Sequence, residues 1–291
     1  MRRFNRLVTQ RVGALDDHYL SRDRPLGEAR MLWEIGTEGR DVRELRRRLD
    51  LDSGYAARLL RALEADGLIS VEPSEEDGRV RIAKLTRAGL AERAVLDRRG
   101  DDLVRSMLEP LGQTEQQRLV SAMAEVERLL TAALVRIDVI DPAHRDAQHG
   151  LQAYFAELDR RFDNGFDEGT SRPAGPEVFR PPAGVFLVAT LWGEPVGCGG
   201  LKLPAQQPAE IKRMWVAESA RGLGIGRRLL TALEDEARAS GKRRIRLDTN
   251  KNLREAIAMY RAAGYDEVAP FNDEAYAHHW FEKRLGRAQK S

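Results

Sequence analysis

Residues Ala209–Ala239 read AEIKRMWVAESARGLGIGRRLLTALEDEARA: a strand, a glycine-rich turn opening on Arg221, then a long amphipathic helix. Glycines at such a junction let backbone N–H groups converge without a Cβ in the way. The helix N-terminus adds partial positive charge, so the turn can seat an anionic group. Three kinds of protein use a phosphate cradle of this sort, and spacing separates them. A P-loop needs Lys and then Ser or Thr after its second glycine, whereas Gly226 is followed by Arg227 and Arg228. A dinucleotide-binding turn needs G-x-G-x-x-G, but Gly222-x-Gly224 meets Arg227 where the third glycine belongs. What is left is R-x-x-G-x-G over Arg221–Gly226.

Outward from this stretch, the chain has 291 residues, enough for two ordinary domains. Its 42% hydrophobic and 32% charged residues are the balance of a soluble globular protein. No apolar run approaches the roughly 20 residues of a membrane helix. The opening MRRFNRLVTQRVG has no apolar signal core. A single cysteine, Cys198, excludes a disulfide framework and a cysteine-rich metal site, so a cytoplasmic location is expected. A net charge of +2 means that any nucleic-acid surface must be local. From Arg2 to about Ile140 the pattern is helical except for Leu68–Thr86; from about Val178 strands alternate with helices. The interruption at Asp138–Gly150, with Asp141-Pro142 and Gly150, separates a domain over 1–140 from one over 150–291. Gly165–Pro182 reads as a loop.

In the first domain, Pro25–Gly36 is a helix with Leu26, Met31, Leu32 and Ile35 inward. Asp41 caps the next helix, with Glu44 completing a capping box and Leu45 and Leu49 inward. Asp52 opens a third helix, buried through Ala56, Leu59, Leu60 and Leu63, with Ser53, Tyr55, Arg58 and Arg61 on the opposite face and Gly67 as its stop. Leu68–Val71 and Val80–Leu85 are two short strands around a polar tip, Pro73–Gly78. Helices around a tight turn followed by a hairpin form a winged helix-turn-helix, all-α with a small β wing. The runs Leu63-Glu-Ala-Asp-Gly-Leu-Ile69, Asp77-Gly-Arg79 and Leu85-Thr-Arg-Ala-Gly89 resemble the MarR family of transcriptional regulators over roughly Leu7–Val135. The resemblance implies double-stranded DNA as partner. It puts the Asp52–Asp66 helix in the major groove, with Arg79 in the minor groove steadied by Asp77. A homodimer would form through Thr9–Tyr19 and Gln113–Val135. Val71 stands where many members carry arginine. Glu75, Glu76 and Asp77 make the wing tip acidic, which favours modest phosphate affinity. A module that only dimerises is the alternative.

In the second domain, Gly184–Leu191 and Val196–Leu203 pair around Trp192-Gly-Glu-Pro195, and Glu210–Val216 is the next strand. The Gly224–Ser240 helix is buried through Leu229, Leu230, Leu233 and Ala237. Strand Arg244–Thr249, helix Leu253–Ala263 and a strand at Tyr265–Val268 complete an α+β fold with a mixed central sheet. The R-x-x-G-x-G turn, followed by Ala256-Ile-Ala-Met-Tyr260 and Ala263-Gly-Tyr265, resembles the GNAT family of acetyl-coenzyme A dependent N-acetyltransferases. The likeness covers about Leu151–Leu285, with Ala153–Phe162 as the family's early helix.

That resemblance implies acetyl-CoA as donor and an amine, small molecule or protein lysine, as acceptor. Pyrophosphate would sit on Arg221, Gly222, Leu223, Gly224, Ile225, Gly226 and Arg227. The Met214, Trp215 and Val216 backbone would hold the pantetheine arm like an added strand and stabilise the acetyl oxygen. Glu210 is the candidate base, since a free alkylammonium has a pKa near 10.4 and must lose a proton before attack. An acid merely paired with a neighbouring arginine is the equal alternative. Tyr260 is placed to protonate the departing thiolate, or else is a core aromatic. Leu253 occupies the place of the family's frequent asparagine, leaving Asn250 or Asn252 as substitutes. Cys198, between two glycines, reads as a small buried residue. His278 and His279 face opposite ways on a strand and so do not make a metal site. Phe166, Asn272 and His278, with Phe162, Asp163 and Tyr276 nearby, form the expected acceptor side. The whole reads as a bifunctional regulator and acetyltransferase. Its rivals are an enzyme that uses the winged helix to dimerise and a regulator that senses acetyl-CoA without turnover.

Overall fold

A computed structural model describes residues 1–12, 20, 24–75, 77–167 and 175–286. Its backbone forms two compact units, Met1–Ala124 and Glu125–Ser291. No helix among the described residues is long and apolar enough to cross a membrane.

The first unit runs α1 (Arg2–Arg11), α2 (Leu26–Ile35), β1 (Arg40–Asp41), α3 (Val42–Arg48), α4 (Ser53–Ala65), β2 (Ile69–Pro73), β3 (Arg81–Leu85) and α5 (Arg87–Leu108). Met31, Leu32 and Ile35 of α2 pack with Leu45 of α3 and Leu59, Leu60 and Leu63 of α4. Both expected N-caps are present: Asp41 accepts from the Arg43 N–H at 2.6 Å and Asp52 from the Tyr55 N–H at 2.9 Å. Glu44 does not close a capping box; its carboxylate goes to Arg40 instead. Gly67, at φ +68°, ends α4 in a Schellman turn, with Leu68 N–H to Leu63 O at 2.9 Å and Gly67 N–H to Glu64 O at 3.0 Å. Thr86 caps α5 and donates to Gly67 O at 2.7 Å, tying the second wing strand to the end of α4. The two-residue β1 joins the hairpin in the order β1-β3-β2; it is too short for alternation to reveal. Of the expected dimer segment Thr9–Tyr19, residues 13–19 lie outside the described residues, as does Glu76 of the wing.

Helix α6 (Gln113–Leu134) runs through the division between the units. The second unit continues with β4 (Arg136–Val139), α7 (Arg145–Arg161), β5 (Gly184–Leu191), β6 (Glu194–Lys202), β7 (Ala209–Val216), α8 (Ile225–Ala239), β8 (Arg244–Thr249), α9 (Arg254–Ala262), β9 (Asp266–Val268) and β10 (His279–Arg284). The sheet order is β4-β5-β6-β7-β8-β10-β9, antiparallel except for β7 beside β8. Trp192 and Gly193, both at positive φ, turn β5 directly into β6. Leu229, Leu230, Leu233 and Ala237 of α8 are buried with Leu187, Leu201, Ile211, Ile245 and Phe281 of the sheet. A second apolar cluster joins Ala147 and Leu151 of α7 to Phe186, Val188 and Cys198.

The boundary differs from the sequence reading. Arg136–Val139, placed in the first domain from sequence, is an edge strand of the second unit and pairs with β5. Helix α7 begins at Arg145, inside the segment read as an interruption. The reason is Gly150, which marks close approach rather than a break. A Cβ there would lie 3.1 Å from the Cys198 Cβ, so glycine lets α7 approach the sheet.

Candidate functional site

Strands β7 and β8 pair only at Ala209 with Ile245 and Glu210 with Arg246, although β7 runs on to Val216 and β8 to Thr249. Beyond that point they part, and the β8-side backbone edge from Ile211 to Val216 has no strand partner among the described residues. A bulge lies on the other side of β7. Cys198 pairs with Trp215 and Gly200 with Lys212, so Arg213 and Met214 together face Gly199. Arg213 takes φ +58°, and the Cys198 thiol donates to its carbonyl at 3.5 Å. Burial pushes that thiol up to about 12, so Cys198 is a neutral packing residue near pH 7.

The turn after β7 has the form its glycines require. Gly222 and Gly224 stand at φ +83° and +73°, and a Cβ built on either meets no atom within 4 Å. The cradle is therefore open above the backbone. Gly224 caps α8 with no side-chain hydrogen bond, which leaves first-turn N–H groups available to an anion. Those residues fit a pyrophosphate. Gly226 is pressed from below; a Cβ would come 3.1 Å from Met259 Sδ. Two arginines fix the turn. Arg128 donates to Gly222 O at 3.0 Å, and Arg228 donates to Ala132 O and Val135 O, each at 2.7 Å. Arg221 pairs at 2.6 Å with the buried Glu157 of α7, which Arg161 also holds at 3.1 Å. Arg227 donates to Ala262 O at 3.2 Å.

Next to the parted strands lies a cavity of about 350 Å³. Glu210, Met214, Asn250, Tyr260, Phe166 and Asn272 all line it, bringing together residues from distant parts of the sequence. His278 does not; it is exposed, and its backbone N–H extends the β8–β10 ladder to Thr249 O at 2.9 Å. Trp215 and Val216 pack into the two apolar clusters. The Asn250 amide is occupied, giving to Tyr276 O at 2.8 Å and accepting from the Asn252 N–H at 2.9 Å. It anchors the loop that carries Asn272 and Tyr276. Glu210 lies 3.1 Å from Lys212 and 3.4 Å from Arg246. This is the paired arrangement set beside the base reading in the sequence.

Several lining residues were not singled out from sequence. Lys212 bridges Glu210 to Asp248, the latter at 2.5 Å. Burial lowers its pKa, but the Asp248 and Glu210 charges outweigh this and raise it, so it stays an ammonium. Tyr154 on α7 lines the same space, and its burial drives the phenol pKa above the ordinary range. Burial, reinforced by Asp248, does the same at Tyr260. The recurrence of charge at positions 210 and 212, and at 246 and 248, was the available signal; strand alternation puts each pair on one face.

In the first unit, Ser53, Arg58 and Arg61 are exposed along α4. The Arg58 guanidinium lies 4.8 Å over the Tyr55 ring, and Arg61 Nε donates to Ala57 O at 3.2 Å. Asp77 steadies Arg79 through the backbone, accepting its N–H at 2.9 Å. The Arg79 side chain is exposed at the wing tip.

Comparison with known proteins matches two parts of the chain. The profile of the acetyltransferase (GNAT) family matches residues 151–265, and that of the MarR family matches 23–80. The IAA acetyltransferase of Azospirillum brasilense is 38% identical over 125 residues, 43% of this chain and 82% of that protein. YjgM of Escherichia coli K12, an uncharacterized N-acetyltransferase, is 30% identical over 95 residues, 32% of this chain and 57% of that one. A solved GNAT-family acetyltransferase from Staphylococcus aureus matches with a TM-score of 0.45 and 20% identity, over 52% of this chain and 100% of that one. The chain belongs to the GNAT family of acetyltransferases and carries a MarR-family winged helix in its first unit.

Proposed function

We propose that the chain is a bifunctional regulator that binds double-stranded DNA through α4 and the wing. Its second unit transfers an acetyl group from acetyl-CoA to an amine, and it works in the cytoplasm as a homodimer. Family membership brings N-acetyltransferase activity with an acyl-CoA donor. The observation that carries the acetyl-transfer reading is the parting of β7 and β8 beside an open, uncapped glycine turn.

When bound, the donor supplies an acetyl thioester whose sulfur leaves with the bonding electrons. The free edge of β7 suits the pantetheine arm, as an added strand with main-chain hydrogen bonds. N–H groups from Gly222 to Arg227 suit the pyrophosphate. A backbone N–H of the Met214–Val216 stretch would meet the charge that develops on the acetyl oxygen. Glu210, paired with Lys212 and Arg246 at the cavity wall, is the side chain that would accept a proton from the amine. Tyr260 keeps its proton and can give it to the departing sulfur. Glu210→Gln should slow turnover about 10²-fold, the scale of one general base, while donor affinity stays nearly intact. Thiol release with acetyl-CoA and an amine panel reads both; an unchanged kcat removes Glu210 from the mechanism.

Support for the regulator half is the exposure of Ser53, Arg58 and Arg61 together with Arg79. Arg79→Ala should weaken binding to a duplex selected from a random pool about tenfold and flatten the slope of log K against log salt by about one. Identical binding and slope in wild type and variant would place the wing off the DNA. Exposed Leu119, Val120, Met123, Leu129 and Leu130 on α6 support the homodimer, since such a row needs cover.

A further inference from the structure

We propose that the acceptor is an amine carrying its own carboxylate, of the α-amino acid class, with that carboxylate seated at the Lys202 and Arg246 end of the cavity. The inference rests on the acetyl-transfer reading of this site.

Strand register sets the charges. Lys202 of β6 lies directly across from Glu210 of β7, and Glu210 directly across from Arg246 of β8. The candidate base is thus flanked on its own sheet face by two cations, at the short spacing of cross-strand neighbours. The carboxylates nearby are already matched. Asp248 is held by Lys212 at 2.5 Å and by Asn272 at 2.9 Å, and Glu210 by Lys212 and Arg246. Two donors remain over. The Lys202 side chain lines the cavity, and its ammonium makes no ion pair or hydrogen bond with any described residue within the usual distances. Arg246 Nε is buried without a hydrogen-bond partner, although its guanidinium donates to Gln207 at 2.8 Å and lies 4.3 Å over the Phe271 ring. An unsatisfied buried donor costs free energy that an incoming anion would remove. Burial holds Lys202 below the ordinary lysine pKa, Glu210 opposes this, and the Lys212 and Arg213 charges add to it. A ligand carboxylate would offset both the desolvation and the repulsion by pairing with the ammonium.

Size and shape restrict the rest of the molecule. A volume of about 350 Å³ suits an amino acid. Part of the lining is aromatic: Phe155 stacks on Phe166 at 5.7 Å between ring centroids, and Tyr276 lies 4.9 Å from Phe166. An acceptor with its carboxylate at Lys202 and its nitrogen beside Glu210 would turn an apolar side chain to those rings.

The test compares matched amines that share a body: L-phenylalanine, its amide and phenethylamine; L-leucine, its amide and isoamylamine; with spermidine and a lysine peptide added. Full-length protein and acetyl-CoA are used, with thiol release and calorimetric binding as readouts. One amino acid should exceed its decarboxylated partner in kcat/KM by about tenfold or more, the scale of one charge-assisted hydrogen bond. Lys202→Met should raise KM for that amino acid about tenfold and remove most of its advantage in kcat/KM over the decarboxylated partner. Lys202→Gln, which keeps a donor, should fall between. If plain amines, spermidine or the lysine peptide match or exceed every amino acid, acetyl transfer stands and this proposal is overturned. Carboxylate-dependent binding that Lys202→Met weakens, without thiol release, upholds the site and overturns turnover. Neither binding nor release with any amino acid overturns the proposal.

Discussion

Tyr260→Phe should lower kcat about 10²-fold while changing the donor KM little, because it removes a proton donor and leaves the ring in place. The ring packs 6.0 Å from both Tyr265 and Phe281 between centroids, contacts that phenylalanine keeps, so folding should survive. The hydroxyl belongs to a residue that also lines the cavity. Burial, with Asp248 reinforcing it, raises the phenol pKa, and a raised pKa keeps the proton on the acid side of the titration. The donor is therefore loaded throughout the neutral range. The wild-type kcat profile should not fall near pH 10, where an ordinary phenol ionises. Steady-state kinetics across pH for both proteins decide the matter; equal kcat values would make Tyr260 a packing residue only.

Gly89→Ala should destabilise the first unit by about 3 kcal/mol or more, a large effect for one methyl group. The Gly89 N–H is held by Thr86 Oγ1 at 3.1 Å. A Cβ there would lie 2.0 Å from Leu68 O and 3.0 Å from its carbonyl carbon. Those atoms are backbone at the start of the wing, so no rotamer change relieves the clash. Calorimetry of the full chain should show the loss as a lowered transition. DNA affinity should fall far more than the acetyl-transfer rate, whose residues lie in the second unit. A transition unmoved by the substitution would mean that the wing start can shift at little cost.

Legibility in the sequence followed how local each cause was. The caps at Asp41 and Asp52, the stop at Gly67 and the stripe on α8 each depend on a few neighbouring residues, and each appears in the structure. Gly222 and Gly224 were readable because a positive φ restricts residue type directly. What escaped depends on partners far along the chain. Gly150 looks like a breaker until Cys198 is brought against it. Arg136–Val139 looks like a helix end until β5 pairs with it. Lys202, Lys212, Arg246 and Asp248 are ordinary charges until register sets them side by side. His278, singled out for its neighbours in sequence, lies outside the cavity they were expected to share.

The Arg136–Val139 strand also bears on how this enzyme could be moved as a module. The GNAT profile begins at residue 151, where a gene-level recombination or a trimmed expression fragment would naturally cut. Such a cut removes β4, together with the Ala132 and Val135 carbonyls that Arg228 grips and the Arg128 that holds Gly222. It also turns β5, whose Val185–Ala189 run is buried, into an open edge able to pair with other chains. A transplantable acetyltransferase must instead carry the last turns of α6 with it, so the portable unit begins well upstream of its family signature.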